Sequence, residues 1–206
     1  MKVFASGVKA LSELVSDSNS EYLLSVVIPE VQKLWERFED LEERHRSYLD
    51  KDWLSLLVDA DRKARATRGR EKVQRIAAIL CNAAEAGQTK STSDTEDMMR
   101  IAMDLSDVDV RVLQEIVRTQ GPVLSGGRTA VPRYNAYSLW NSGRWNDLGL
   151  GGGELLSICK KLESFGLVYP AYNPQQNILS DEPTAFGLLK RGKEFVEYIQ
   201  RVAHAG

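Results

Sequence analysis

Side chains that carry most enzymatic and metal chemistry are scarce in this chain. It has two cysteines and two histidines among 206 residues. Cys81 and Cys159 lie far apart, each inside an apolar helical pattern, and such a pair gives neither a metal knuckle nor a redox motif. Both read as buried, reduced thiols. His45 falls on an apolar stripe with no second ligand at i+4, and His204 is the only other histidine, so no metal site is expected. There is no G-x-S-x-G, no G-K-[ST], and no histidine beside a nucleophile. Asp107 and Asp109, two apart at a helix start, fit the positive end of a helix dipole better than an acid–base pair. The chain therefore reads as a non-enzyme without cofactor or metal.

Long apolar runs are missing too. The longest, "YLLSVVI" at 22–28, is far below the roughly 20 residues a membrane helix needs. Lys9 interrupts the N-terminal stretch and no small-residue cleavage site follows it. The expectation is a cytoplasmic protein with no membrane association. Strong charge of either sign is also lacking. Residues 1–106 carry 16 bases and 19 acids, and residues 107–206 carry 11 and 10. Neither half announces nucleic-acid binding by charge alone.

What the chain does have is apolar periodicity. In "SEYLLSVVIPEVQKLWERFEDLEERHRSYL", Val27, Val31, Leu34, Phe38, Leu41, His45 and Tyr48 recur at spacings of four and three. That is the seam of a helix packing lengthwise on a partner. Either a second copy or another helix of the same chain supplies the partner, which makes residues 21–57 a candidate homodimer surface. Pro29 either kinks this helix or marks its first turn. A second helix is expected from Asp52 to about Ala66, with Trp53, Leu56 and Leu57 inward, and Gly69 breaks it. A third runs from Arg70 to Ala86 with Val73, Ile76, Ala77, Leu80 and Ala84 on one face, ending at Gly87. After the polar "QTKSTSD", Ser93 and Glu96 form a capping box for a helix carrying Met98, Met99, Ile101 and Leu105. Trp35, Trp53, Trp140 and Trp145 read as core or interface anchors.

Charge is sorted within this half. Residues 36–52 hold seven acids and four bases, whereas "RKARATRGREKVQR" at 62–75 holds seven bases and one acid. Neighbouring helices that offset one another's charge explain this, as does a basic turn that meets phosphate or an acidic partner.

From residue 106 the pattern changes. Ser106 can cap a helix with Val110, Leu113 and Val117 inward, closed by Gly121. "RTAV" suits a short strand and "NAYSLWNSG" a short helix. "GGELLSICKKLESFG" is a further helix with Leu155, Ile158, Cys159, Leu162 and Phe165 inward. "LVYPAY" and "TAFGLL" form a hairpin across "NPQQN", and "KRGKEFVEYIQRV" closes with Phe195, Ile199 and Val202 packed. The expected architecture is mainly α: a helical region over 1–105 and, over 106–206, a winged helix holding the β-structure.

"GLGGG" at 149–153 raises a phosphate-loop reading that the flanking residues reject. The sixth position of G-x-G-x-x-G is Glu154, a carboxylate, and "SGRWND" before the run is no strand. As the turn of a helix–turn–helix the run needs no ligand, because glycine reverses the chain without a Cβ clash.

Here a resemblance enters. "LLSICKKLESFGLVYP" is similar to the recognition helix and first wing strand of MarR- and PadR-type regulators. "FGLLKRGKEFVEYI" resembles their closing segment, with Phe186, Leu188, Gly192, Phe195 and Ile199 in matching places and Leu189 where those proteins carry a capping Thr. As a whole the chain is similar to bacterial proteins of the abortive-infection-alpha type, on "KVQRIAAILCNAAE" and "MMRIAMDLSDVDVRVLQEI", a likeness that implies no reaction. The first resemblance implies a regulator that binds double-stranded DNA. Ser157, Lys160 and Lys161 would approach the major groove, and Arg128, Arg133 and Arg144 would contact the backbone. The alternative is a non-enzymatic interaction module, in a scaffold of the phage-defence kind, whose winged helix docks a protein. Its support is the wing "YNPQQNILSDEP": no Lys or Arg lies between Lys161 and Lys190.

Overall fold

The computed structural model describes residues 17–37, 47–87, 91–119, 144–171 and 185–200. Over these residues the protein is mainly helical, with one two-stranded antiparallel sheet. It divides into two compact units, Met1–Asp104 with Tyr198–Gly206, and Leu105–Glu197.

In the first unit, helix α1 (Ser18–Arg37) is capped by Asp17, whose carboxylate accepts the N–H groups of Asn19 at 2.7 Å and Ser20 at 3.4 Å. Leu23, Leu24, Val27, Val31 and Leu34 are buried, so this part of the apolar stripe is covered within the chain. Phe38, Leu41 and His45 lie outside the described residues. Pro29 sits inside α1 on its exposed side, not in its first turn.

A π-helical turn, Leu49–Trp53, runs straight into α2 (Leu54–Ala66), so the regular helix starts two residues later than the sequence suggested. The turn drives Trp53 fully inside, where its indole N–H donates to the Leu80 carbonyl at 3.0 Å. Helix α3 (Arg70–Ala86) is the centre of the unit, with α1, α2 and α4 (Thr92–Asp104) packed on it. Its expected face is buried, and so are Ala78, Ile79, Cys81, Asn82 and Ala83, because neighbours cover more than one side. The alanines let those helices approach closely. Gly87, at φ +56°, ends α3, its N–H bonding the Ala83 carbonyl. The buried Asn82 amide donates to the Ala78 carbonyl at 2.9 Å and the Tyr198 carbonyl at 2.8 Å, satisfying one of the orphan carbonyls at the end of the last helix.

The cap of α4 differs from expectation. Ser91, not Ser93, accepts the Asp94 N–H, at 3.0 Å. "STSDTE" offers both registers, and the earlier one adds half a turn while satisfying the same class of orphan donor.

The second unit starts with α5 (Asp107–Thr119) and continues after residue 143 with a short helix α6 (Arg144–Asp147), α7 (Gly152–Ser164), strands β1 (Val168–Ala171) and β2 (Ala185–Leu188), and α8 (Lys190–Gln200), which ends in the first unit. β1 and β2 pair antiparallel with Val168 opposite Leu188 and Ala171 opposite Ala185. The core is Val110, Val112, Leu113 and Ile116 from α5, Leu155, Cys159 and Leu162 from α7, then Leu167, Val168, Phe186, Phe195 and Val196. Val117, Ile158, Phe165 and Ile199, expected inside, are half-buried at the edges of the apolar faces. The expected "RTAV" strand, the "NAYSLWNSG" helix, Gly121 and Val202 fall outside the described residues.

Candidate nucleic-acid interface

The candidate surface is built around α7. Its entry is set by Gly149, whose φ of +70° is a left-handed conformation and whose N–H closes a turn on the Asn146 carbonyl at 2.9 Å. Gly151 is the N-cap, and its N–H donates to the Glu154 carboxylate at 2.7 Å. The Glu154 charge is thus folded back onto the helix start, where the dipole stabilises it. The helix ends on Gly166, φ +67°, in a Schellman arrangement: Gly166 N–H bonds the Glu163 carbonyl at 2.8 Å and Leu167 N–H the Leu162 carbonyl at 3.1 Å.

Two close approaches fix the hairpin and seat α8 on the strand entry. Tyr169 lies opposite Gly187, and a Cβ on Gly187 would fall 2.2 Å from its ring. A Cβ on Gly192 of α8 would fall 2.2 Å from the Leu167 carbonyl oxygen, while Leu189 N–H bonds that oxygen at 3.0 Å. Only glycine at 192 lets the helix start sit on the strand entry.

At the start of α5, Ser106 and Asp109 cap each other's backbone. Ser106 N–H donates to the Asp109 carboxylate at 2.8 Å, and Asp109 N–H to the Ser106 hydroxyl at 3.2 Å. The same carboxylate oxygen receives the Lys161 ammonium at 2.7 Å. Burial pushes the Asp109 carboxyl up, but the hydrogen bonds from Lys161 and Ser106 and the Lys161 charge outweigh it and hold the group below its ordinary value.

Of the expected groove-facing set, Ser157 and Lys160 are exposed and three apart on one face of α7. Lys161 is half-buried and committed to Asp109. Arg144 begins α6, its side chain outside the described part, and Arg128 and Arg133 lie outside the described residues altogether. Sequence reasoning missed the Asp109 link; the S-x-x-D pattern was legible, but its partner stands 52 positions away. Other bases of the unit are engaged locally: Arg111 donates to the Leu148 carbonyl at 3.2 Å, Arg118 pairs with Glu115 at 2.5 Å, and Lys190 and Lys193 each meet a Glu at 3.7 Å.

Among the described residues no three His, Cys, Asp or Glu side chains are placed to hold a metal ion. Cys81 and Cys159 are free and buried, and desolvation pushes each thiol up to about 12, with Glu30 and Glu85 adding to the shift at Cys81. A groove of about 480 Å³ between α2 and α4 is lined by Asp59, Lys63, Asp94, Glu96, Asp97 and Arg100, but both bases are paired to its own carboxylates. No described helix is long and apolar enough to cross a membrane. No protein-family model, curated protein or solved structure matches the chain.

Proposed function

We propose that residues 106–206 form a winged helix that binds double-stranded DNA, and that the protein is a non-catalytic, regulator-like binder. The observation that carries this reading is the solvent face of α7, where Ser157 and Lys160 stand side by side beyond a helix start free of side-chain bulk at Gly152 and Gly153. A helix bare at its first turn can approach a groove wall closely, with its N-terminal N–H groups toward phosphate. The Glu154 carboxylate occupies the Gly151 N–H at that helix start, so in this reading an approaching phosphate displaces it. Arg128, Arg133 and Arg144 supply the backbone contacts in this reading, and Lys161 supports α7 instead of reaching a base.

A second reading, that the winged helix docks a protein, is favoured by the pairing of Lys161 with Asp109 and by the absence of Lys and Arg from 162–189. Backbone contacts provide most of the affinity of a DNA binder, so few free bases weaken the first reading. A homodimer would have to use residues other than Val27, Val31 and Leu34, which are covered within the chain.

Fluorescence anisotropy with random duplex DNA at low salt tests the proposal. Lys160→Ala is expected to weaken binding and to flatten the log–log salt dependence by about one. Lys161→Glu is a poor probe because it sets two carboxylates against each other at Asp109. Absence of binding at low salt, or binding indifferent to Lys160, hands the surface to a protein partner.

A further inference from the structure

The basic run at 62–75 holds seven bases, which the fold employs unequally. Lys72 donates to the Met103 carbonyl, and the buried Arg75 to the Ala102 carbonyl at 3.4 Å. Both therefore cap the C-terminal end of α4, which has no base of its own in its last turn. Lys63 pairs with Asp59 and Arg65 with Asp61, each one turn back on α2. These four are spent on the fold. Three arginines are not: Arg62, Arg68 and Arg70 are exposed, and none has a carboxylate partner among the described residues.

We infer that the α2–α3 corner, presenting Arg62, Arg68 and Arg70, is a second docking surface, for the phosphate backbone of duplex DNA. Arg62 lies one turn before α2 ends, Arg68 in the three-residue turn, and Arg70 at the first position of α3. The turn is rigid. Thr67 is buried, its N–H bonds the Ala64 carbonyl at 3.2 Å, and the Asn19 amide of α1 clamps the Thr67 carbonyl at 2.9 Å. Arg70 is pre-set as well, its guanidinium stacked 4.2 Å from the Tyr22 ring centroid, and Gln74 fixes that ring through its hydroxyl at 2.8 Å. A stacked guanidinium keeps its in-plane N–H fork free for a phosphate.

Charge complementarity chooses the partner. Between Arg62 and Arg75 the only carboxylate is Glu71. Val58, one turn before Arg62 on α2, is the one large apolar side chain exposed among the described residues of this unit, a single small anchor where protein interfaces use clusters of large ones. Evenly spaced phosphates need only such guanidiniums. This surface belongs to the helical unit and does not rest on the winged-helix reading.

The test is anisotropy of the full chain with random duplex DNA across a salt series. Arg62→Ala/Arg68→Ala is expected to weaken binding about tenfold or more and to reduce the salt slope by about two. Both side chains are exposed, so folding is retained. Lys33→Ala/Lys51→Ala removes two exposed charges elsewhere and is expected to change little; an equal loss there would reduce the effect to general charge and overturn the inference. Sensitivity to the corner variant but not to Lys160→Ala supports this surface and removes the winged-helix one. Sensitivity to Lys160→Ala alone does the reverse. No DNA binding overturns both, and equal binding of poly-glutamate through the same arginines assigns the corner to acidic protein segments instead.

Discussion

The carboxylate of Asp109 and the ammonium of Lys161 stand 2.7 Å apart and tie the first turn of α5 to the last turns of α7. Asp109 is almost wholly buried, with a side chain 6% exposed, and Lys161 reaches it from a position 41% exposed. The carboxylate has two duties, since it also caps the Ser106 N–H. Asp109→Ala should therefore cost more than Lys161→Ala, by about 1 kcal/mol, the usual value of a lost cap. In a double-mutant cycle read by urea unfolding, a coupling of about 1–3 kcal/mol is expected. A coupling near zero would reduce the pair to an ordinary surface contact.

Acid should undo the same link. The folded Asp109 carboxyl titrates below its ordinary value despite burial, because Lys161 and Ser106 hold the ionised form. A depressed carboxyl contributes stability that is fully present above the unfolded value, about 3.9, and is lost as pH falls through the folded one. The Tm gap between wild type and Asp109→Asn should thus be constant near neutrality and close progressively below about pH 4. A gap that widened in acid would contradict the sign.

Two glycines are fixed by what lies over them. Gly187→Ala drives a Cβ into the Tyr169 ring, and Gly192→Ala drives one into the Leu167 backbone oxygen. The ring can swing aside, whereas the carbonyl is part of the strand entry. Gly187→Ala is expected to cost about 1–3 kcal/mol, mostly recovered when combined with Tyr169→Ala, and Gly192→Ala to cost more, with no such rescue. Denaturant midpoints of the four variants decide it.

Much of this fold is written locally and so was legible. The apolar spacing of Val73, Ile76, Ala77, Leu80 and Ala84 gave α3 within its true bounds, and Gly69 and Gly87 its ends. The strand-like runs "LVYPAY" and "TAFGLL" on either side of "NPQQN" placed the hairpin, and "LESFG" ended α7 at Gly166. What failed to show was set by partners distant in sequence. Lys161 looks like a groove-facing base until Asp109 is placed beside it, and Lys72 and Arg75 look like free charge until α4 ends beneath them. The π-helical turn at Leu49–Trp53 is of the same kind, because only the packed core explains the register that seats Trp53.

The glycines at 149–153 separate into one that the backbone needs and others that it does not. Gly149 has φ +70°, a conformation that costs an L-residue about 1–2 kcal/mol. Gly152 and Gly153 are exposed in the first turn of α7, and a Cβ on either meets nothing within 4 Å. Gly149→Ala should therefore destabilise by about 1–2 kcal/mol, while Gly152→Ala and Gly153→Ala should each stabilise by up to about 1 kcal/mol, because the unfolded chain loses freedom. Urea unfolding of the three single variants gives the signs. If the bare helix start exists so that α7 can approach a groove closely, replacing both residues by a bulkier leucine should leave the fold intact and weaken duplex DNA binding. Stability gained with DNA affinity unchanged would leave Gly152 and Gly153 without a role in binding and place the weight of the DNA reading on Ser157, Lys160, Arg128, Arg133 and Arg144.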